Sequence, residues 1–176
     1  MTPKIIGLLG RSRVGKDTVA DYIQKIYPRY EILRLSYPLK RASCALYGYT
    51  MEQLETNEKE RMDPRWKKTP RECIQSLTDY MMKYMGVDFF TKRLYQYYES
   101  GKCSEYIIIP DIRYEHDIQE IRERGGVVFK IEKKNSPVLH AFEDHIDSLK
   151  GDYTLTNDST KKELYVQIDR VIDECY

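Results

Sequence analysis

Gly10-Arg11-Ser12-Arg13-Val14-Gly15-Lys16-Asp17-Thr18 stands between an apolar run, Lys4-Ile5-Ile6-Gly7-Leu8-Leu9, and a stretch in which Val19, Ile23, Ile26 and Tyr27 recur at helical spacing before Pro28. The run predicts a buried strand and the spacing a helix over 16–27. Between them, G-x-x-x-x-G-K matches the P-loop in the context that gives the motif its meaning. Glycines let the backbone curl so that its amides face phosphate oxygens, and the helix start adds partial positive charge at the same point. Lys16 would meet the outer phosphates. The usual motif places Ser or Thr directly after the lysine, on the magnesium side. Here Asp17 holds that place and Thr18 follows. Thr18 is therefore the candidate metal-side hydroxyl. Asp17 either holds a water of the metal shell or simply favours the helix N-terminus electrostatically.

Working outward, strands and helices alternate, which predicts an α/β fold with a parallel sheet covered on both faces. Tyr30 to Ser36 reads as a second strand and Pro38 to Tyr47 as a helix closed by Gly48. Met51 to Glu60 is a charged helix or loop, and Arg61 to Thr69 is irregular. Pro70 opens a helix whose apolar stripe is Ile74, Leu77, Met81 and Met85. Another helix covers 88–99, a buried strand 106–109, a helix 114–124 and a strand 127–132. Tyr153 to Thr156 is the last strand. Leu164, Ile168, Val171, Ile172 and Cys175 mark the closing helix. The expectation is one domain, 1–176, with five parallel strands flanked by helices. Its helical substrate-binding insertion spans 38–101, and a short lid spans 133–147.

A chain of 176 residues can bury a core without staples. Its net charge of +1 argues against a protein that coats nucleic-acid polymers. Four cysteines, at 44, 73, 103 and 175, show no metal-ligand spacing and read as reduced thiols. No signal peptide and no apolar run long enough to span a membrane is read, so no membrane partner and a cytoplasmic location are expected, the host cytoplasm if viral. A homodimer is compatible with the sequence, which fixes no oligomeric state.

Ile107-Ile108-Ile109-Pro110-Asp111-Ile112-Arg113 is the second informative stretch. An apolar strand ending in Asp puts a carboxylate at the carboxyl end of the sheet, where ligands of α/β proteins bind. Asp111 would hold a metal's water shell or accept substrate hydroxyls, or else cap the next helix. Arg113 can clamp phosphate through its planar fork.

The ordered motifs resemble the deoxynucleoside monophosphate kinase family known from bacteriophages and viruses. They are R-x-G-K-D-T (Arg13 to Thr18), Pro38-Leu39-Lys40, Tyr47-Gly48, Arg71 with Gln75, Gly86 with Asp88 and Phe90, Asp111 with Arg113 and Asp117, His140 to Glu143, and Asn157-Asp158. The resemblance implies a P-loop kinase fold and phosphoryl transfer from ATP, with Mg²⁺, to a deoxynucleoside monophosphate. Arg11, Ser12, Arg13, Val14, Gly15, Lys16, Asp17 and Thr18 would hold the donor phosphates, with Asp17, Thr18 and Asp111 on the metal side. Asn157 and Asp158 would line the adenine pocket. Lys40, Arg71, Gln75, Phe90, Asp111, Arg113 and Asp117 would form the acceptor site, and Lys16, Arg71 and Arg113 would carry the catalytic charge. Each also has a plain reading: Arg71 and Gln75 as solvated helix residues, Phe90 as core, Asp117 as a helix-surface partner of Arg113 or Arg122, His140 as surface.

The chain departs from the family pattern at Val14 for Ser, Phe90 for Trp, Phe142 for a small polar residue and Ser159 for Gly. The Val14 change removes a hydroxyl but leaves the backbone donors. Two rivals are a phosphomevalonate-kinase-like enzyme with a similar G-K-D loop, and a nucleotide-binding module without catalysis.

Overall fold

The computed structural model describes residues 3–134 and 141–175, the side chains of 141–144 excepted. The chain divides into two compact units, Met1–Arg34 with Leu94–Tyr176, and Leu35–Arg93.

The first unit holds the five-stranded sheet: β1 (Ile5–Leu9), β2 (Tyr30–Ile32), β3 (Tyr106–Ile112), β4 (Val127–Glu132) and β5 (Tyr153–Thr156). The order is β2-β3-β1-β4-β5, and every pairing is parallel. β1 is central and every residue of it is buried, as a strand covered on both faces must be. Helices α1 (Lys16–Ile26) and α7 (Lys161–Glu174) cover one face. There Ile6, Leu8, Ile108, Phe129, Ile131 and Leu155 pack with Val19, Ile23, Leu164 and Ile168. Helix α6 (Glu115–Glu123) covers β1 on the other face. Gly7 eases its approach, since a Cβ there would lie 2.5 Å from the Ile121 Cδ1 and that side chain would have to shift.

The second unit contains α2 (Tyr37–Tyr47), α3 (Met51–Glu55), α4 (Pro70–Met85) and the start of α5 (Phe89–Glu99). Its small core is Tyr49, Leu54 and Cys73, with Cys44, Tyr47 and Ile74 against it. Pro70 occupies the first turn of α4, where its missing N–H costs nothing, and Thr69 with Glu72 closes a capping box. All four cysteines are free thiols.

Two element boundaries differ from the sequence reading. The second strand stops at Ile32 rather than Ser36. Leu33 still donates to the Ile108 carbonyl, but Ser36 is already in helical conformation as the N-cap of α2. The third strand runs on to Ile112, through Pro110 and Asp111. It does so by a bulge: Gly7 pairs with Ile109 and Leu9 with Ile112, so β3 carries one extra residue. Proline has no N–H to lose there. Of the segment expected as a lid, Lys133 and Lys134 are described and Ala141–Ser148 is a 3₁₀ helix. His140 lies outside the described residues.

Helix α7 also starts with a capping box, Thr160 with Glu163. Hydrogen bonds, first from the Ser159 side chain and then from the Thr160 amide, hold the Glu163 carboxyl below its usual 4.5. A lowered folded value stabilises the fold fully above the unfolded value and is lost as pH falls through the folded one. Glu163→Gln is expected to flatten part of the acid limb of stability below pH about 4.5, measured by urea unfolding at stepped pH.

Candidate active site

The strand order reverses around β1, so the crevice beyond the carboxyl ends of β1 and β3 is where a ligand meets this sheet. The loop from Gly10 to Gly15 fills that position and leads directly into α1. Three of its residues have positive φ: Gly10 (152°), Arg13 (63°) and Gly15 (109°). Gly10 is obligatory on space as well, since a Cβ would meet the Ile131 carbonyl oxygen at 2.6 Å. Gly15 is constrained by its positive φ, while a Cβ there would meet only the Asn157 side chain, whose Nδ2 would lie 2.5 Å away. Val14 sinks its side chain into the core at 2% exposure, which anchors the loop from beneath. The side chain missing a hydroxyl there thus serves packing. Asn157, expected at the adenine pocket, directs its side-chain amide nitrogen to the Val14 carbonyl at 2.8 Å. Asp158 accepts from the Lys134 amide at 2.5 Å.

Lys16 begins α1, and its Nζ donates to the Gly10 and Arg11 carbonyls at 2.6 Å each. The ammonium is thus held over the mouth of the loop. Thr18, half-buried, belongs to the first helical turn, whose amides have no acceptor within the helix. Asp17 lies 2.6 Å from Arg34 and is largely exposed. Ser12 is half-buried and Arg13 exposed. Arg11 pairs with Asp147, its Nε donating at 2.9 Å.

The bulge in β3 governs the next group. Ile112 stands beside Leu9, so Asp111, half-buried, comes one residue before the level at which β1 ends and the loop starts. Asp111, Thr18 and Asp17 offer only oxygen donors, the chemistry a hard divalent cation requires when phosphates and water complete its shell. No cluster of three or more His, Cys, Asp or Glu arranged around a metal occurs among the described residues.

Arg113 follows on the loop into α6. Its amide and that of Tyr114 both donate to the Asp117 Oδ2, at 2.9 and 3.0 Å. Asp117 is 2% exposed. Its carboxylate shapes this loop from a buried position, not from the helix surface. Its other oxygen lies 3.3 Å from the His116 Nε2.

The remaining predicted residues belong to the second unit. Arg71 contacts the Glu60 carboxylate through both Nε and Nη2, at 2.7 and 2.6 Å. Lys40 pairs with Glu55 at 3.3 Å. Gln75 donates to Asp79 at 2.8 Å. Phe90 is half-buried with its ring edge-on to Phe89, centroids 5.2 Å apart. The side chain of Glu143 lies outside what the structure describes. Sequence reasoning missed His145 and Asp147, which fall in a stretch with no period or motif to single them out.

Comparison with known proteins completes the picture. The family model for deoxynucleotide monophosphate kinase matches residues 64–168. A relative from Acanthamoeba polyphaga mimivirus, described as "Putative deoxynucleotide monophosphate kinase", is 30% identical over 188 aligned residues, covering 96% of each chain. The chain belongs to the deoxynucleotide monophosphate kinase family. It is a phosphotransferase acting on nucleotide monophosphates. Solved structures agree on the fold. Shikimate kinase from Aquifex aeolicus matches with a TM-score of 0.54 at 12% identity, over 96% of each chain. Dephospho-CoA kinase from Campylobacter jejuni matches at 0.50 and 11% identity, over 98% of this chain and 97% of that one. The family's kinase therefore carries its loop and its Asp111–Arg113 corner on a P-loop kinase sheet. No helix among the described residues is long and apolar enough to cross a membrane.

Asn157 is the side chain that ties the loop down. Asn157→Ala is expected to leave the Val14 carbonyl without that donor and to cost about 1–3 kcal/mol of stability. Urea unfolding checks this, and weaker nucleotide binding by calorimetry should accompany it.

Proposed function

We propose that this chain transfers the γ-phosphoryl group of ATP to a deoxynucleoside monophosphate, giving ADP and the deoxynucleoside diphosphate. The observation that carries the reading is the pairing of a strand-to-helix glycine loop, with Lys16 across its mouth, and an Asp-x-Arg corner brought beside it by the β3 bulge. Family membership supports the acceptor class.

Both reactants are polyanions, so position and compensating charge are what the protein must supply. An oxygen of the acceptor phosphate attacks the γ-phosphorus in line; the bond from that phosphorus to the β–γ bridging oxygen breaks, and ADP leaves with the electron pair. Lys16 and the loop amides neutralise charge on the donor. Arg113 holds the acceptor phosphate, with its backbone fixed by Asp117. Arg71 would serve the acceptor phosphate, exchanging the Glu60 carboxylate for it. Lys40, Gln75 and Phe90 complete the acceptor site, Phe90 against the base. Asp17, Thr18 and Asp111 would hold Mg²⁺, whose charge, when bound, offsets that of the phosphates. Residues 38–101 act as the substrate-binding insertion of a single domain, and 133–147 as its lid. The adenine is held by backbone near Asp158, since the Asn157 side chain is engaged with Val14.

A coupled ADP-release assay across dAMP, dGMP, dCMP, dTMP and dUMP is expected to reveal at least one acceptor. Lys16→Ala should lower kcat by roughly 10²–10³-fold, the scale for losing one preorganised donor at developing charge, while circular dichroism stays native. Turnover near that of the parent would refute the assignment. Arg113→Ala should raise the acceptor KM, lower kcat, or both, with the ATP KM unchanged; a change confined to ATP would move Arg113 to the donor side.

A further inference from the structure

The loop holding Arg113 and the loop holding Arg11 are fastened by one turn of chain that no motif marks. His145 and Asp147 sit in the 3₁₀ helix Ala141–Ser148. The His145 Nε2 lies 2.8 Å from the Arg113 carbonyl oxygen. A carbonyl only accepts, so this contact is a hydrogen bond when Nε2 carries the proton. The same residue is gripped from its other end, where the Arg113 amide donates to Asp117. Arg113 is thus clamped through both its N–H and its C=O. The clamp has an aromatic backing: the Tyr114 ring lies stacked against His145 on one contact, centroids 5.2 Å apart at 12°, and against His116 on another, 5.3 Å apart at 9°. Two residues on, the Asp147 carboxylate takes the Arg11 guanidinium, and its carbonyl accepts from Lys130 Nζ at 3.0 Å. Lys130 is on β4 at the level of Leu9, where β1 ends. All of these groups belong to the first compact unit.

We propose that His145 and Asp147 are positioning residues that hold the acceptor arginine and the phosphate loop in register. His145 aims Arg113 by fixing its backbone, and Asp147 fixes the course of the loop at Arg11. Neither needs to touch a reactant. Phosphoryl transfer is sensitive to such alignment because its catalysis is mostly placement: displacement of about 1 Å can cost on the order of 10²-fold in rate. This assignment of roles rests on the proposed function above, since it supposes that Arg113 meets an acceptor phosphate.

The test uses the full chain and four variants. His145→Ala is expected to raise the acceptor KM by about tenfold with the ATP KM unchanged, tenfold being what about 1.4 kcal/mol produces. His145→Gln, whose side-chain amide can still donate from the equivalent of Nε2, should restore most of the loss. Asp147→Ala should weaken ATP binding, measured by calorimetry, and leave the acceptor KM unchanged. Asp147→Glu should recover it in part. Hydrogen–deuterium exchange at the Arg113 and Tyr114 amides should quicken in His145→Ala and return towards the parent rate in His145→Gln. A split of the two effects between acceptor and donor supports the assignment. Equal losses on both sides, tracking a fall in melting temperature, would reduce both residues to general stability and overturn it. Unchanged exchange at Arg113 would overturn the clamp by itself. If the parent chain phosphorylates none of the five monophosphates, the proposed function fails; the exchange and ATP-binding results still decide whether this turn organises the two loops.

Discussion

The fixed course of the loop after β1 is the constraint on which the site depends. It is held from three directions. Val14 is sunk in the core beneath it, the Asn157 amide takes the Val14 carbonyl from the side, and Gly10 passes where no side chain fits. Arg13, a non-glycine residue at φ 63°, costs conformational energy, and the surrounding structure has to over-determine it. Burying β1 on both faces provides the rigid base from which that loop departs. The first-turn amides of α1 and the Lys16 ammonium then occupy set places, and electrostatic stabilisation by preorganised groups needs no rearrangement at the moment of reaction.

The proposed acceptor side follows another logic. Arg113 is placed by its backbone, and the carboxylate that does this is nearly inaccessible. Burying an ionised carboxylate is tolerable only when hydrogen bonds replace its lost water, and two loop amides supply them. In the second unit, arginine and lysine are each opposed by a glutamate, Arg71 by Glu60 and Lys40 by Glu55. Exposed or half-exposed pairs of this kind contribute little to stability. Their effect is to hold long cationic side chains near one geometry.

Much of this was legible in the residues. The alternation of apolar runs and helical stripes gave five parallel strands, and the glycine spacing located the phosphate loop at the junction of β1 and α1. The parts that were not legible are those set by tertiary partners. Asn157 follows a strand, where the ordered motifs suggest a nucleotide contact; only the fold brings it beside Val14, 143 positions away in sequence. Asp117 looks like a helix-surface acid by its spacing from Arg113 and Arg122, yet the turn of the loop buries it. His145 and Asp147 lie in an aperiodic stretch, and a 3₁₀ helix leaves no 3.6-residue signature to read. The second strand read long because Leu33 keeps its ladder bond after the strand has ended.

The supernumerary residue in β3 makes that strand unusually intolerant of length change. Side chains along a strand alternate between faces, so a one-residue slip inverts every position that follows. Ile112 shares the α6 face with Gly7 and Ile121 only because Pro110-Asp111 occupies one more position than the neighbouring strand does. Deleting one residue there would not merely shorten a turn: it would reverse the parity of the chain downstream and trade the apolar side chain for its charged neighbours. This short corner is therefore closed to insertions and deletions of odd length.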